Sequence, residues 1–391
     1  MSVSHFLNYG VASDDLNDIR ASMGKAPSWL QDFFTQFSGK ALNDQKPRFL
    51  YKKWMHLAFP CCYFIFGVVL SAFAVGGAEL NILPMIAGWI FTVAGSRQLA
   101  AVVLHQCVHY DFSRINWLDD VIGEGITILL FIIPCSGWRY EHLRYHHKPD
   151  IAFREDDPIT SFLEDLGYFN AKSMRDLWIL TFRTIISPTY HLGFLIRRFK
   201  QNFSSNNRNR LSATMIFWSA MIWAFFVIDS GLAIFVAAYA VPVFILFQVS
   251  HLIEILSEHG WMVPRPEIET VRNHAANQTW GRFYGAPLPT ASNTLLEKIG
   301  AWFIWGIKMC GHALVRATIV VGDQPQHDFH HRRPGSPHWY NAAYARQMDI
   351  KNGHPGLPPY KEYWGLFNQM TRVFTGILNH NLKQNKEVIN G

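Results

Sequence analysis

The sequence predicts an all-α integral membrane protein, with four transmembrane helices in two hairpins and a cytoplasmic helical cap. Three observations predict it. Charged residues make up 16% of the chain against 49% hydrophobic, where an ordinary soluble domain carries roughly 25% charged residues. The apolar excess is concentrated in four runs, at residues 54–75, 82–104, 213–228 and 232–249. Lysine and arginine gather just outside those runs. The net charge of +6 is therefore read as the positive-inside bias of a membrane protein, not as a nucleic-acid surface.

Residues 1–53 form a polar, cytoplasmic N-terminal segment. No basic stretch followed by an apolar core opens the chain, so no signal peptide is expected. Trp29, Leu30, Phe33 and Phe34 suggest a short amphipathic helix. Lys46, Arg48, Lys52 and Lys53 then precede the first apolar run, which places the N-terminus in the cytoplasm. The first and second runs each cover a hydrocarbon core of ~30 Å at about 1.5 Å per helical residue. Gly76-Gly77-Ala78-Glu79 turns between them, and Arg97 interrupts the second. The chain returns to the cytoplasm near residue 104.

Residues 121–134 are apolar but short for a span, which suits an interfacial or re-entrant helix. Residues 151–187 are mixed and polar, as a cytoplasmic cap would be. Arg197, Arg198, Lys200, Arg208 and Arg210 anchor the second hairpin, which turns at Asp229-Ser230-Gly231. Residues 260–295, with Pro264, Pro266, Pro287 and Pro289, read as loop. Residues 299–321 are amphipathic and suit a helix lying along the membrane surface. The chain therefore divides into the N-terminal segment, a membrane domain over 54–340 and a soluble tail over 341–391. Cys61, Cys62, Cys107, Cys135 and Cys310 form no CxxC pair and no secreted disulfide framework.

Three histidine clusters stand out against this topology. They are His105 and His109, then His142, His146 and His147, then His327, His330 and His331. With the orientation set by Lys and Arg, all three follow returns to the cytoplasmic side, as does Glu258-His259. Helical residues three or four apart share a face, so each cluster can aim two or three imidazoles in one direction. Neutral imidazole is the commonest transition-metal ligand. Nine imidazoles exceed what one ion takes, and two ions is the simpler division. Zinc sites usually close with four ligands, so an all-imidazole pair suits iron and oxygen chemistry better. Asp111, Glu141, Asp157, Glu258 and Asp328 are candidates to orient the rings from behind. His251 competes with His259 for the ninth place. A membrane metal transporter is the alternative from another class, but its ionisable residues would line the spans. Here they gather outside, Arg97 excepted.

The pattern His105-Gln106-Cys107-Val108-His109, Trp138-Arg139 ahead of His142, His146 and His147, Asp156-Asp157-Pro158, and His327-Asp328-Phe329-His330-His331 resembles the membrane fatty acid desaturase superfamily. That group includes related hydroxylases. The resemblance covers roughly residues 55–340. It implies a non-haem centre of two irons per chain, held by the eight clustered histidines with His259 in an extra-histidine position. It also implies O2-dependent oxidation of an alkyl-chain or lipid substrate. The first cluster and Asp156-Asp157-Pro158 are similar to acyl-lipid desaturases. Glu141-His142 and Glu258-His259-Gly260 are similar to alkane hydroxylases. Desaturation is the leading expectation and hydroxylation the alternative. His354-Pro355-Gly356 lacks the second glycine and the following length of a fused cytochrome domain. Electrons are therefore expected from a separate ferredoxin, rubredoxin or b-type cytochrome with its reductase.

Overall fold

The computed structural model describes residues 19–77, 79–204, 207–290 and 294–390. The signal-peptide reading of the first residues lies outside that set. Among the described residues the chain is mostly helical, with one two-stranded sheet. It divides into two compact units. The first is Lys52–Glu254 with Ala317–Val321, and the second is Met1–Tyr51, Ile255–Arg316 and Gly322–Gly391.

The first unit opens with α1 (Met55–Gly76) and α2 (Ile82–Val108), both long and apolar enough to cross a membrane. They touch through small residues. A Cβ on Gly67 would sit 2.4 Å from Thr92 N, one on Gly88 2.2 Å from Ser71 Oγ, and one on Gly95 2.5 Å from Phe64 N. Without a hydrophobic force between helices in lipid, such close backbone approach supplies the packing. A Gly95→Val variant is accordingly expected to force the two helices apart, at a cost of about 1–3 kcal/mol for overpacking. A thermal melt in detergent checks it; an unchanged melting temperature would refute the close packing.

The apolar run at 121–134 does not form one helix. Residues 121–130 belong to α3 (Asn116–Leu130) and 131–134 form the break before α4 (Cys135–His146), the two helices meeting at 104°. Phe131 takes a left-handed backbone, with φ of 54°, and Pro134 precedes the first residue of α4. The bend is tied down by Asn202, whose Nδ2 donates to the Ile132 carbonyl at 3.0 Å. Asn202 is held in turn by Arg210 at 2.7 Å, and Arg210 also reaches Glu124 at 2.8 Å. Part of the basic run read as a membrane anchor is thus internal: Arg198 and Arg210 are buried. The polar stretch after the second histidine cluster forms α5 (Pro158–Asp165) and α6 (Met174–Ile186). Next come α7 (Pro188–Phe203) and α8 (Arg208–Val227), then α9 (Gly231–Glu258). The last two complete the four helices long and apolar enough to span. Arg97, the charge inside the second apolar run, pairs with Glu254. Both side chains are buried, so neither is an uncompensated charge.

In the second unit, α10 (Gln31–Ser38) buries Phe34 and exposes Phe33, as an amphipathic helix should. Residues 260–295 hold more structure than their prolines suggest. Thr270 caps α11 (Val271–Asn277), and β1 (Gly281–Phe283) pairs in parallel with β2 (Glu362–Trp364). A pairing eighty residues apart leaves no local signal at β1. Helix α12 (Leu295–Thr318) exposes Leu295, Leu296, Ile299 and Phe303, the stripe expected of the amphipathic stretch. Helices α13 (His327–Arg332), α14 (Ala342–Lys351) and α15 (Leu366–Asn390) complete it. The last 51 positions thus carry two helices and a strand of this unit.

Candidate metal centre

The first histidine cluster lies at the C-terminal end of α2, one helical turn beyond the apolar run. Six buried residues, Leu99–Leu104, form a π-helical segment just before it. His105 and His109 then sit four residues apart on the closing α-turn, with ring centroids 5.1 Å apart. Tyr110 takes φ of 59° and ends the helix. Two buried carbonyls at that end accept from Arg139, whose Nε donates to Val108 O at 3.0 Å. Its Nη2 donates to Cys107 O at 2.9 Å. Cations at a helix C-terminus are favoured electrostatically. Arg139 also pairs with Asp120 at 2.7 Å and lies over the Tyr110 ring at 3.8 Å. Sequence reasoning assigned Arg139 no role. Its signal was its place three residues before His142, which sets one cluster against the other.

The second cluster departs from the expected α-helical spacing. His142–His146 form a π-helical turn, closed by a bond from His147 N to His142 O at 2.9 Å. A π turn pairs residues five apart. His142 therefore lines up with His147, with ring centroids 4.4 Å apart. His105, His109, His142 and His147 each offer a ring nitrogen within 4.8 Å of the others. His105 Nε2 and His142 Nε2 are 2.9 Å apart.

His146 stacks on His142 at 5.2 Å and turns its Nδ1 to Asp157 at 3.0 Å. Asp157 is fully buried. It also accepts from Phe153 N and Ile159 N, each at 3.0 Å, and so caps α5, whose first residue is Pro158. Burial alone would raise this carboxyl, but His146 and the backbone donors outweigh it and hold it below the usual range. A carboxylate on Nδ1 fixes the tautomer that leaves the Nε2 lone pair available.

In the second unit, His327 and His331 stand one helical turn apart on α13, with Nε2 atoms 3.0 Å apart. His259, fully buried, brings its ring to 5.2 Å from His327 and 4.8 Å from His331. These three offer ring nitrogens within 4.8 Å of one another. His330 is buried and stacks on His327 at 5.6 Å. His251 is 40% exposed at its side chain and lies 3.7 Å from Glu254.

The carboxylates proposed to orient the rings fall into three kinds. Asp157 contacts a ring directly, as above. Glu258 Oε1 lies 3.2 Å from His327 Nε2, and its Oε2 3.8 Å from His259 Nε2. Asp328 does not serve a ring. Its carboxylate takes Arg346 Nε and Nη2 at 2.9–3.0 Å. Asp111 faces Arg114 at 3.8 Å. Glu141 is half-buried at the turn before His142.

The donor sets fit a transition metal. Two ligands at right angles on one ion, each at ~2.1 Å, are separated by about 3.0 Å. The 2.9 Å and 3.0 Å nitrogen separations match that chord. Burial also keeps His109 and His147 neutral, the form that binds metal. It draws His109 down to about 4, with His146 and Arg139 adding to the shift, and it draws His147 well below the usual range. Neutral imidazoles of this kind suit iron, zinc or copper.

The fold and the site together define a helical membrane protein with histidine-lined metal-binding clusters. The family model described as fatty acid desaturase matches residues 80–309, and the chain belongs to that family. It is 27% identical over 229 residues to a Δ12 acyl-lipid conjugase (11E,13E-forming) of Impatiens balsamina, covering 51% of this chain and 58% of the relative. It is also 27% identical over 187 residues to the sn-1 oleoyl-lipid 12-desaturase of Synechocystis, covering 45% of this chain and 51% of the relative. A bifunctional desaturase/conjugase of Vernicia fordii is 28% identical over 163 residues, covering 37% and 42%. The match spans about half the length of these relatives.

Proposed function

We propose that this protein is an O2-dependent membrane oxidoreductase that introduces a C=C bond into a fatty acyl chain. The observation that carries the reading is the pair of imidazole sets, spaced as metal ligands are, in a chain of the desaturase family. His105, His109, His142 and His147 hold one iron; His259, His327 and His331 hold a second; His146 and His330 complete the nine. Two non-haem irons, when bound, would supply the oxidising power to remove hydrogen from an unactivated C–H bond using O2.

The residues prepare that chemistry. Asp157 sets the His146 tautomer, Arg139 fixes the end of the helix that bears His105 and His109, and burial keeps His109 and His147 unprotonated. The four apolar helices are arranged as two hairpins, with the N-terminus and the histidine clusters on the cytoplasmic side and residues 54–340 as the catalytic domain. The substrate is a lipid-borne acyl chain, as the names of the relatives support, and the electron donor is a separate redox protein.

Expression in an iron-replete host, with lipid profiling by mass spectrometry against a His146→Ala variant, tests the reading. The expected products are acyl species lighter by two hydrogens, absent in the variant. Species heavier by one oxygen would instead assign the hydroxylase alternative. Unchanged lipids with iron present would overturn the acyl-lipid substrate.

A further inference from the structure

We propose that Glu258 is itself a ligand to the ion held by His259, His327 and His331, with Arg282 holding its carboxylate in place. The inference rests on the metal-centre reading above and adds to it an oxygen donor that the histidine pattern does not contain.

The geometry carries it. Glu258 Oε1 stands 3.2 Å from His327 Nε2, and that same nitrogen stands 3.0 Å from His331 Nε2. Both separations are close to the ~3.0 Å chord between ligands at right angles on one ion. An oxygen serving only to orient a ring would sit on the nitrogen facing away from the ion, as Asp157 does on His146 Nδ1. Glu258 instead approaches the nitrogen that faces the other imidazole.

The carboxylate is also held from behind. Arg282 is fully buried. Its Nη2 lies 3.4 Å from Glu258 Oε1 and donates to Gln324 O and Oε1 at 3.1 Å and 2.8 Å. Its Nη1 donates to Ser257 Oγ at 3.3 Å. The backbone carrying Glu258 is pinned too. Trp280 Nε1 donates to Ser257 O at 3.2 Å, His259 forms an antiparallel bridge with Thr279, and Gly260 N donates to Gln278 O at 2.9 Å. A buried carboxylate needs a compensating cation. Arg282 supplies one at 3.4 Å, and a metal ion among the three imidazoles would supply a second. An anionic oxygen beside three imidazoles makes this a harder site than an all-imidazole one, which favours iron over copper.

The test uses the full chain purified in detergent, with iron counted per chain and its environment read by Mössbauer spectroscopy. Wild type is expected to show two iron environments. Glu258→Gln, nearly isosteric, is expected to lose one of them and about half the iron, while His142→Ala loses the other. Arg282→Lys is expected to keep both irons but to give up one to a chelator roughly ten-fold more readily, the lower end of the effect of groups behind metal ligands. A melt of the metal-free proteins checks folding; if Glu258→Gln does not fold, the Arg282→Lys competition decides. Glu258→Gln with both irons and an unchanged spectrum would overturn the proposal and leave the metal-centre reading standing. Wild type without iron would overturn both.

Discussion

His142→Ala is expected to release one iron and to lower product formation by more than about a hundredfold. Losing even a group that sits behind a metal-ligating histidine costs about 10–100-fold in affinity or activity, and His142 is closer to the centre than that. Its Nε2 is 2.9 Å from that of His105, and its ring contacts those of His109 and His147 at 5.1 Å and 4.4 Å. Leu143, the next residue, is exposed, so Leu143→Ala is the matched control, expected to keep both iron and product. Iron per chain and the lipid profile of the expressing host check the pair. A His142→Ala protein with wild-type iron content would show that the four-imidazole set does not bind metal.

The parts of this site that were legible in the sequence are those set by local geometry. His327 and His331 share a face because residues four apart on an α-helix do so. His105 and His109 follow the same rule, and four apolar runs of sufficient length gave four helices able to cross a membrane. The Asp157-Pro158 pair marks a helix start, since aspartate caps well and proline fits the first turn. Two kinds of feature were not legible. The π turn at His142–His146 moves the partnership from His146 to His147, and nothing in the spacing announces a π turn. The clamps are long-range: Arg139 reaches the carbonyls of Cys107 and Val108, and Arg282 reaches Gln324. Those partners are fixed by tertiary packing, which a single sequence does not display. Asp328 shows the same limit: its adjacency to His327 suggested a role behind a ring, and its carboxylate is taken up by Arg346 from α14.

Arg346→Met is expected to destabilise the second unit by about 3–5 kcal/mol, the cost of removing one partner from a buried ion pair. The guanidinium takes both Asp328 oxygens at 2.9–3.0 Å and Glu362 Oε1 at 2.8 Å, with its own side chain 3% exposed. Methionine fills much of the volume but strands the Asp328 carboxylate on α13 and leaves Glu362 on β2 with Lys40. At roughly 2–4 °C per kcal/mol, the melting temperature should drop by on the order of 10 °C. The pH dependence separates this electrostatic loss from a packing defect. Burial alone would raise the Glu362 carboxyl, but Arg346 and Lys40 outweigh it and hold it below its ordinary value of 4.5. A depressed folded-state pKa contributes stability that is present above the unfolded value and lost as pH falls through the folded one. Wild type should therefore lose stability on acidification below about pH 4.5. In Arg346→Met the Glu362 carboxyl loses the larger of the two cations that hold it down, so the difference in melting temperature should narrow as pH falls. A difference that stays constant from neutral pH into that acid range would assign the loss to packing and remove the charge argument.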